Sequence, residues 1–142
     1  MNILISACLL GMECRYDGGG YDAARFSGIM KHHNLIPVCP EVYGGLTTPR
    51  APSERIGERV VTKSGEDVTG QYRRGAEQAL YLARLYDCKI AILKKRSPSC
   101  GSGRIYDGTF SGELTDGDGV TAELFRKNGI TVIGEDELDR IP

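Results

Sequence analysis

The sequence predicts an α/β fold with a mostly parallel sheet, and three observations support this fold class. Short, nearly continuous apolar runs occur at residues 2–9, 35–40, 89–94 and 130–134, as expected for strands buried on both faces. Segments with helical spacing separate most of these runs, which suits parallel strands because they need long crossover connections. Polar loops rich in glycine or proline follow the first three runs. A length of 142 residues is expected to give a single domain over residues 1–142.

Local signals give each element its bounds in chain order. The first half predicts a strand at 2–9, a short helix at 23–34, a strand at 35–40, a long polar loop at 41–57 and a hairpin at 59–70. The second half predicts a main helix at 68–86, a strand at 89–94, a long loop at 96–119, a helix at 120–129 and a strand at 130–134. The hairpin is expected to turn at Ser64 and Gly65. Asp67 is predicted to cap the main helix, and Gly129 to end the second one.

Composition argues against several classes of protein. The net charge of −1 and the pI near 6.1 give no general electrostatic basis for binding nucleic acid. No apolar run approaches the roughly 20 residues that span a bilayer, and no basic segment precedes the first run as in a signal peptide. We therefore expect a cytoplasmic protein without a membrane partner, either a monomer or a homodimer.

Five cysteines, an odd number in a chain without a secretion signal, argue against a disulfide framework. Cys8 ends the first predicted strand, Cys39 ends the second, and Cys100 follows the third by a few residues. In open α/β sheets, sites form beyond the carboxyl ends of the strands, where loops gather. Any one cysteine can simply be a small buried residue. Three at three strand ends predict a shared site at one edge of the sheet.

Three thiolates suit two kinds of metal centre. Zinc with three cysteines and a water is one, although hydrolytic zinc sites usually include a histidine or a carboxylate. An iron–sulfur cluster normally takes four cysteines, so three would leave one iron open to a soft ligand such as sulfur. Cys14, six residues after Cys8, is a candidate fourth ligand, resolving thiol or packing residue. Cys88 precedes the third strand and is interpreted as structural.

Candidate catalytic residues stand beside these cysteines. Glu41, two residues after Cys39, is placed to act as a general base. Ser97 and Ser99 flank Pro98 just before Cys100, and either hydroxyl can relay a proton or orient a substrate. Serines also cap turns in loops of this kind, so the sequence does not choose between them.

Five motifs give a further guide. They are "SACLLGMECRYDG" (6–18), "PVCPEVYGGLTTPRAP" (37–52), "GEDVTGQYRRGA" (65–76), "AILKKRSPSCGSGRIYDGTF" (91–110) and "GDGVTAELFRKNGI" (117–130). In order and over nearly the whole chain, they resemble the thiouracil desulfurase (TudS-like) family. The resemblance implies a Rossmann-like domain that holds a [4Fe–4S] cluster through three cysteines, matched here by Cys8, Cys39 and Cys100.

The resemblance also implies an activity. Members remove sulfur from thiolated uracil compounds, giving the oxo form and hydrogen sulfide without net redox change. The substrate sulfur would bind the open iron, and Glu41 with Ser97 or Ser99 would manage water and protons. Some relatives carry an extra domain and act on thiolated tRNA. For 142 residues of near-neutral charge, we expect instead a free base, nucleoside or nucleotide.

Further loop residues are candidates for substrate contacts. Tyr16 and Tyr106 lie in Tyr-Asp-Gly turns and can stack on a pyrimidine, and Arg50 and Arg96 can meet an anionic group. The segment 101–103 can direct backbone N–H groups at an anion. The remaining polar candidates are His32 and His33. Because they are adjacent, they point apart on a helix, and we interpret them as surface residues.

Three alternatives compete with the desulfurase. The first is a structural or electron-transfer protein with zinc or an iron–sulfur cluster, closed by Cys14 as fourth ligand. The second is a metal-free module that holds a nucleotide phosphate on glycine-rich turns. The third is a cluster enzyme with an oxygen substrate, such as a dehydratase, which the residues alone do not separate from a desulfurase.

Overall fold

The computed structural model describes residues 1–142 as eight strands and four α-helices. The strands are β1 (Asn2–Ser6), β2 (Asn34–Val38), β3 (Ser53–Ile56), β4 (Arg59–Thr62), β5 (Ile90–Leu93), β6 (Arg104–Tyr106), β7 (Leu114–Asp116) and β8 (Thr131–Gly134). The α-helices are α1 (Ser27–Met30), α2 (Pro40–Tyr43), α3 (Thr69–Leu85) and α4 (Val120–Lys127). Three short 3-10 helices occur at Ala7–Leu10, Ala23–Phe26 and Leu138–Arg140.

A four-stranded parallel sheet with the order β2-β1-β5-β8 organises the chain. Ile3 of the central strand β1 lies opposite Leu35 on one side and Ile90 on the other. This sheet confirms the predicted α/β fold. Two antiparallel hairpins, β3–β4 and β6–β7, stand apart from it.

Both faces of the sheet are covered, so its strands read as unbroken apolar runs. On one face, Leu4 and Leu93 pack with Phe125 of α4 and with alanines of α3. On the other face, Ile5 packs with Phe26 of the second 3-10 helix. The alternation of side chains along each strand divides the core between these two layers.

The two longer helices lie close to their predicted positions. The structure begins the main helix at Thr69 and ends it at Leu85, and the Asp67 carboxylate accepts a hydrogen bond from the Thr69 N–H at 2.9 Å. Gly129 follows α4 with a φ of +80°, the left-handed conformation that often ends a helix. The predicted helix at 23–34 is wrong as a continuous element, because it is one 3-10 turn followed by the single turn α1.

The hairpins account for the other differences from the predicted elements. The predicted pairing within residues 59–70 forms only as one antiparallel bridge between Val61 and Asp67, whereas β4 pairs along its whole length with β3, in the segment expected to be a loop. A turn does form at 64–65, where the Gly65 N–H donates to the Thr62 carbonyl at 2.9 Å. The predicted loop 96–119 contains the hairpin β6–β7. These strands have three or four residues and half-polar patterns, so no periodicity marked them.

The helices of this fold are too short or too polar to serve as a membrane span.

Candidate active site

A cavity of about 580 Å³ lies at the carboxyl ends of β1, β2 and β5. Its wall includes the three predicted cysteines, Cys8, Cys39 and Cys100, and also Cys14. Parallel strands direct their ends to one edge, which is why residues so far apart in sequence meet here. The structure therefore brings together the cysteines expected to share a site.

A different local structure holds each of the three thiols. Cys8 lies in the 3-10 turn after β1, where its carbonyl accepts from the Tyr21 N–H at 2.8 Å. Cys39 directly follows β2 and precedes Pro40, the first residue of α2, where the fixed φ of proline favours a helix start. The Cys100 N–H donates to Ser97 Oγ at 3.0 Å, which fixes the loop after β5.

The thiols influence one another electrostatically. Burial, and then the nearby Cys39, raise the pKa of Cys8 to about 11. Burial also raises the pKa of Cys100. Cys14 and Cys39 lie within hydrogen-bonding reach, which lowers the pKa of the Cys39 thiol and raises the pKa of the Cys14 thiol. Ionising several of these thiols together is therefore costly unless a positively charged group binds the thiolates.

The donor set fits an iron–sulfur cluster better than a single ion. All five cysteines are free, and no group of three or more His, Cys, Asp or Glu side chains is arranged to hold one metal ion. A four-iron cluster spaces its thiolate ligands more widely than a single ion does. Three thiols around a cavity of about 580 Å³ suit such a cluster, with room left for a small ligand.

Glu41 lies in the first turn of α2 and faces the same cavity. Its Oε1 accepts a hydrogen bond from the Tyr72 hydroxyl at 2.5 Å and lies 3.4 Å from Arg50 Nε. Tyr72 is only 2% exposed, and burial together with the Glu41 charge raises its pKa, so it remains a donor. Because no protein group bonds Oε2, that oxygen is free to accept a proton.

Arg50, predicted to meet an anionic ligand, lines the cavity and also holds the site together. Its guanidinium donates to the Cys14 carbonyl at 2.9 Å, to the Thr47 carbonyl at 3.1 Å and to Thr48 Oγ1 at 3.1 Å. It thereby ties the loop after α2 to the loop that carries Cys14. With the contact to Glu41, this side chain links three parts of the cavity wall.

The structure separates the two candidate serines. Ser97 lines the cavity, and its Oγ accepts from the N–H groups of Ser99 and Cys100, so its own proton remains available. Ser99 is fully buried outside the cavity wall and shares a hydrogen bond of 2.8 Å with Thr121. The geometry favours Ser97 as the serine that reaches a substrate.

The other predicted contacts divide into those in the cavity wall and those outside it. Tyr16, Tyr106 and Arg96 line the cavity. The predicted anion nest is wrong, because the Gly101 N–H donates to the Ser97 carbonyl and the Gly103 N–H donates to Asp118.

The histidines and Cys88 belong to other parts of the molecule. His32 is exposed, and His33 contacts both chain termini, with Met1 N at 3.2 Å from its Nδ1. Cys88 packs in the core at 4% exposure. None of the three lines the cavity. This agrees with the interpretation of the histidines as surface residues and of Cys88 as a structural residue.

Two residues of the site escaped sequence analysis. Tyr72 occupies a helical position that reads as ordinary core, and Glu54 lies in a segment predicted as loop. Tyr72 lies within the motif at 65–76 that the resembled family shares, whereas Glu54 lies outside all five motifs and nothing in the sequence marked it.

The fold and the site together define an α/β protein with a thiol-lined centre at the carboxyl edge of a parallel sheet. A sequence model of the 2-thiouracil desulfurase family matches residues 3–137. The chain therefore belongs to the 2-thiouracil desulfurase family, which confirms the resemblance found from its motifs.

Two similar proteins accompany this family match. The uncharacterized protein YbbK of Bacillus subtilis (strain 168) is 44% identical over 149 residues, which cover 98% of this chain and 99% of that protein. The solved structure of the [4Fe–4S]-dependent thiouracil desulfidase TudS superposes with a TM-score of 0.90 at 48% identity. That match covers 99% of this chain and 94% of the TudS chain.

Proposed function

We propose that this protein is an iron–sulfur-dependent desulfurase that converts thiolated uracil compounds to their oxo forms and releases sulfide. The observation that carries the proposal is the meeting of three thiols from three strand ends with Glu41 in one cavity. Family membership and the similarity to TudS, which is described as a [4Fe–4S]-dependent thiouracil desulfidase, support it.

Cys8, Cys39 and Cys100 are the proposed ligands of a [4Fe–4S] cluster. When bound, such a cluster supplies a Lewis-acidic iron without a protein ligand, to which a soft exocyclic sulfur is well suited. The protein contributes the spacing of the thiols, of which Cys100 is buried and Cys8 and Cys39 are partly buried.

Glu41 is the proposed general base. Its Oε1 is fixed by Tyr72 and Arg50, which leaves Oε2 to take a proton from a water in the cavity. That water is the nucleophile at the carbon that bears the sulfur. Because the carboxylate is held from one side only, it can act without losing its orientation.

Ser97 completes the proposed proton path. Its Oγ already accepts two backbone N–H groups, so its hydroxyl proton can point towards the leaving sulfur or a substrate oxygen. The overall reaction consumes one water, whose oxygen stays on the ring carbon, while both of its protons leave with the sulfur as H₂S. No electrons are gained or lost, so no external reductant is needed.

The cavity wall supports a substrate no larger than a nucleotide. Its volume of about 580 Å³ suits a small ring, and Lys63 and Arg96 in its wall lack a carboxylate partner within the protein. We therefore propose a free base, nucleoside or nucleotide as substrate. Five free cysteines also suit a reducing compartment, so we propose a cytoplasmic location.

The test is turnover under anaerobic conditions. The reconstituted protein is mixed with 2-thiouracil in H₂¹⁸O without a reductant, and uracil and sulfide are quantified. Equal amounts of both products, with one ¹⁸O atom in each uracil, are expected. Retention of the thio chromophore in a protein that contains its full cluster would contradict the proposed substrate class.

One observation favours a second function. Cys14 lies beside Cys39, so a closed site with four cysteines remains an alternative for an electron-transfer or structural protein. Replacing Cys14 with alanine separates the two functions. A desulfurase should keep its iron and its turnover in this variant, whereas a closed site should lose iron.

A further inference from the structure

Phe110 adopts a backbone conformation that is costly for an aromatic residue. Its φ is +57°, and it is one of only three non-glycine residues with positive φ, together with Asp87 and Arg96. Both Phe110 and Arg96 line the cavity. Such conformations persist only where the surroundings enforce them, and they cluster at functional sites.

Glu54 enforces this conformation. Its side chain belongs to β3, and the residue is only 8% exposed. One oxygen, Oε1, accepts the N–H of Gly108 at 2.9 Å and the N–H of Phe110 at 3.1 Å. A buried carboxylate with two backbone donors fixes the loop more firmly than a neutral acceptor would. Gly108 permits the approach, because a Cβ there would lie 2.4 Å from Ile56 Cγ1.

The other aromatic residues of the cavity wall have polar hydroxyls, and two are already engaged. The Tyr72 hydroxyl is committed to Glu41, and Arg15 and Lys94 lie over the Tyr21 ring at 4.7 Å and 5.4 Å from its centroid. No cation lies over Phe110, which contributes the single wholly apolar ring. An apolar ring of this kind suits contact with the flat face of another planar ring.

We infer that Phe110 determines specificity by stacking on the pyrimidine ring of the substrate, and that Glu54 is a positioning residue that holds Phe110 there. The inference rests on the proposed function for the identity of the ring. It explains why a strained aromatic residue and a buried carboxylate lie side by side in the cavity wall.

The first experiment compares three substitutions of Phe110 in the reconstituted protein. Because stacking is lost in Phe110→Ala and Phe110→Leu, the KM for 2-thiouracil should rise about 10- to 100-fold with little change in kcat. Phe110→Tyr retains the ring and should stay near wild type. Leucine controls for apolar volume, so a leucine variant as good as wild type would overturn the inference.

The second experiment tests Glu54 through a double-mutant cycle. Glu54→Gln keeps an oxygen that accepts both N–H groups and should raise KM less than Glu54→Ala, which removes the acceptor altogether. If Glu54 acts through Phe110, the double variant with Phe110→Ala should be no worse than Phe110→Ala alone. Additive losses, or equal effects of the Gln and Ala variants, would contradict its positioning role.

A binding measurement separates this inference from the proposed function. Calorimetric titration with uracil reports stacking without turnover, and Phe110→Ala should weaken binding by a similar factor. If the wild type binds uracil more tightly than Phe110→Ala does but does not convert 2-thiouracil, the proposed reaction fails while the stacking role stands. If the wild type is active and Phe110→Ala leaves both KM and uracil affinity unchanged, the stacking role fails alone.

Discussion

At the scale of single residues, three thiols reach one cavity from separate loops, so each is an independent requirement. Cys8→Ala, Cys39→Ala and Cys100→Ala should each abolish cluster binding, because two protein thiolates hold a four-iron cluster poorly. Iron content and visible absorbance after anaerobic reconstitution measure the loss. Cys88→Ala is the matched control, since Cys88 is buried in the core away from the cavity. Equal sensitivity at Cys88 would show that the assignment of ligands is wrong.

Glu41 should be needed for turnover but not for the cluster. Glu41→Gln keeps the hydrogen bond from Tyr72 but removes the base, so kcat should fall about 10²- to 10⁴-fold with normal iron content. Tyr72→Phe removes only the donor at 2.5 Å and should cause a smaller loss of kcat. Full activity in Glu41→Gln would exclude Glu41 from the mechanism.

The sequence revealed the site residues that adjoin strand ends and missed those that reach the site from elsewhere. Cys39 and Glu41 follow an apolar run directly, and the rule for parallel sheets places them at one edge. Tyr72 arrives through the packing of α2 on α3, and Glu54 through its hydrogen bonds to the distant loop at Gly108 and Phe110. Such contacts depend on tertiary structure, which no local pattern encodes.

At the scale of elements, the crossing of α2 and α3 positions Glu41. The two helices approach so closely that a Cβ on Gly75 would lie 1.8 Å from the Pro40 carbonyl oxygen, and one on Gly44 would lie 1.9 Å from the Gln71 carbonyl oxygen. Only glycine allows backbones to meet at this distance. The position of α2, and hence of Cys39 and Glu41, depends on these two residues.

Gly75→Ala should therefore displace α2, which lowers the free energy of unfolding and reduces the iron content of the reconstituted protein. Gly70→Ala provides the control within the same helix, because a Cβ there meets nothing within 4 Å. Because Gly70 is the second residue of α3, where helix propensity counts less than in the interior, that variant should be at least as stable as wild type. Chemical unfolding of both variants measures the contrast. Equal effects would mean that the close crossing is not needed.

The start of α3 should give a characteristic acid dependence. Hydrogen bonds from Thr69, aided by Arg59, lower the pKa of Asp67 from its ordinary 3.8 to about 2. Because the folded-state pKa is the lower one, the charge stabilises the protein above about pH 4, and this contribution is lost as the pH falls towards 2. The stability advantage of wild type over Asp67→Asn should shrink across this interval.

Urea unfolding at a series of pH values measures that difference. Asp116→Asn removes an almost fully exposed charge from β7 and serves as the control. An advantage that stays constant between pH 4 and pH 2 would contradict the role given to Asp67.

The sequence predicted the elements of the sheet better than those of the hairpins. The strands of the sheet are buried on both faces and are recognisable in the sequence as apolar runs. The strand β3 reads Ser-Glu-Arg-Ile, with no alternation that distinguishes it from loop, and it forms only because β4 pairs with it. Pairing between short strands is decided by tertiary contacts rather than by propensity.

At the scale of the whole molecule, the cluster should join loops that follow β1, β2 and β5. We propose that the chain unfolds as one domain, because its two larger core clusters lie on opposite faces of the same sheet. Near-UV and far-UV signals should then report one coincident transition. Reconstitution should raise its midpoint, since the cluster binds only the folded form. Two separate transitions would contradict a single domain.

The most direct test of an open cluster site is Mössbauer spectroscopy of the ⁵⁷Fe-reconstituted protein before and after 2-thiouracil is added anaerobically. We expect four irons per chain, of which one is distinct and changes when the substrate sulfur binds. Cys14→Ala should give the same result. Four irons that do not respond to 2-thiouracil would indicate a closed site, and a protein that takes up no iron would remove the cluster from the account.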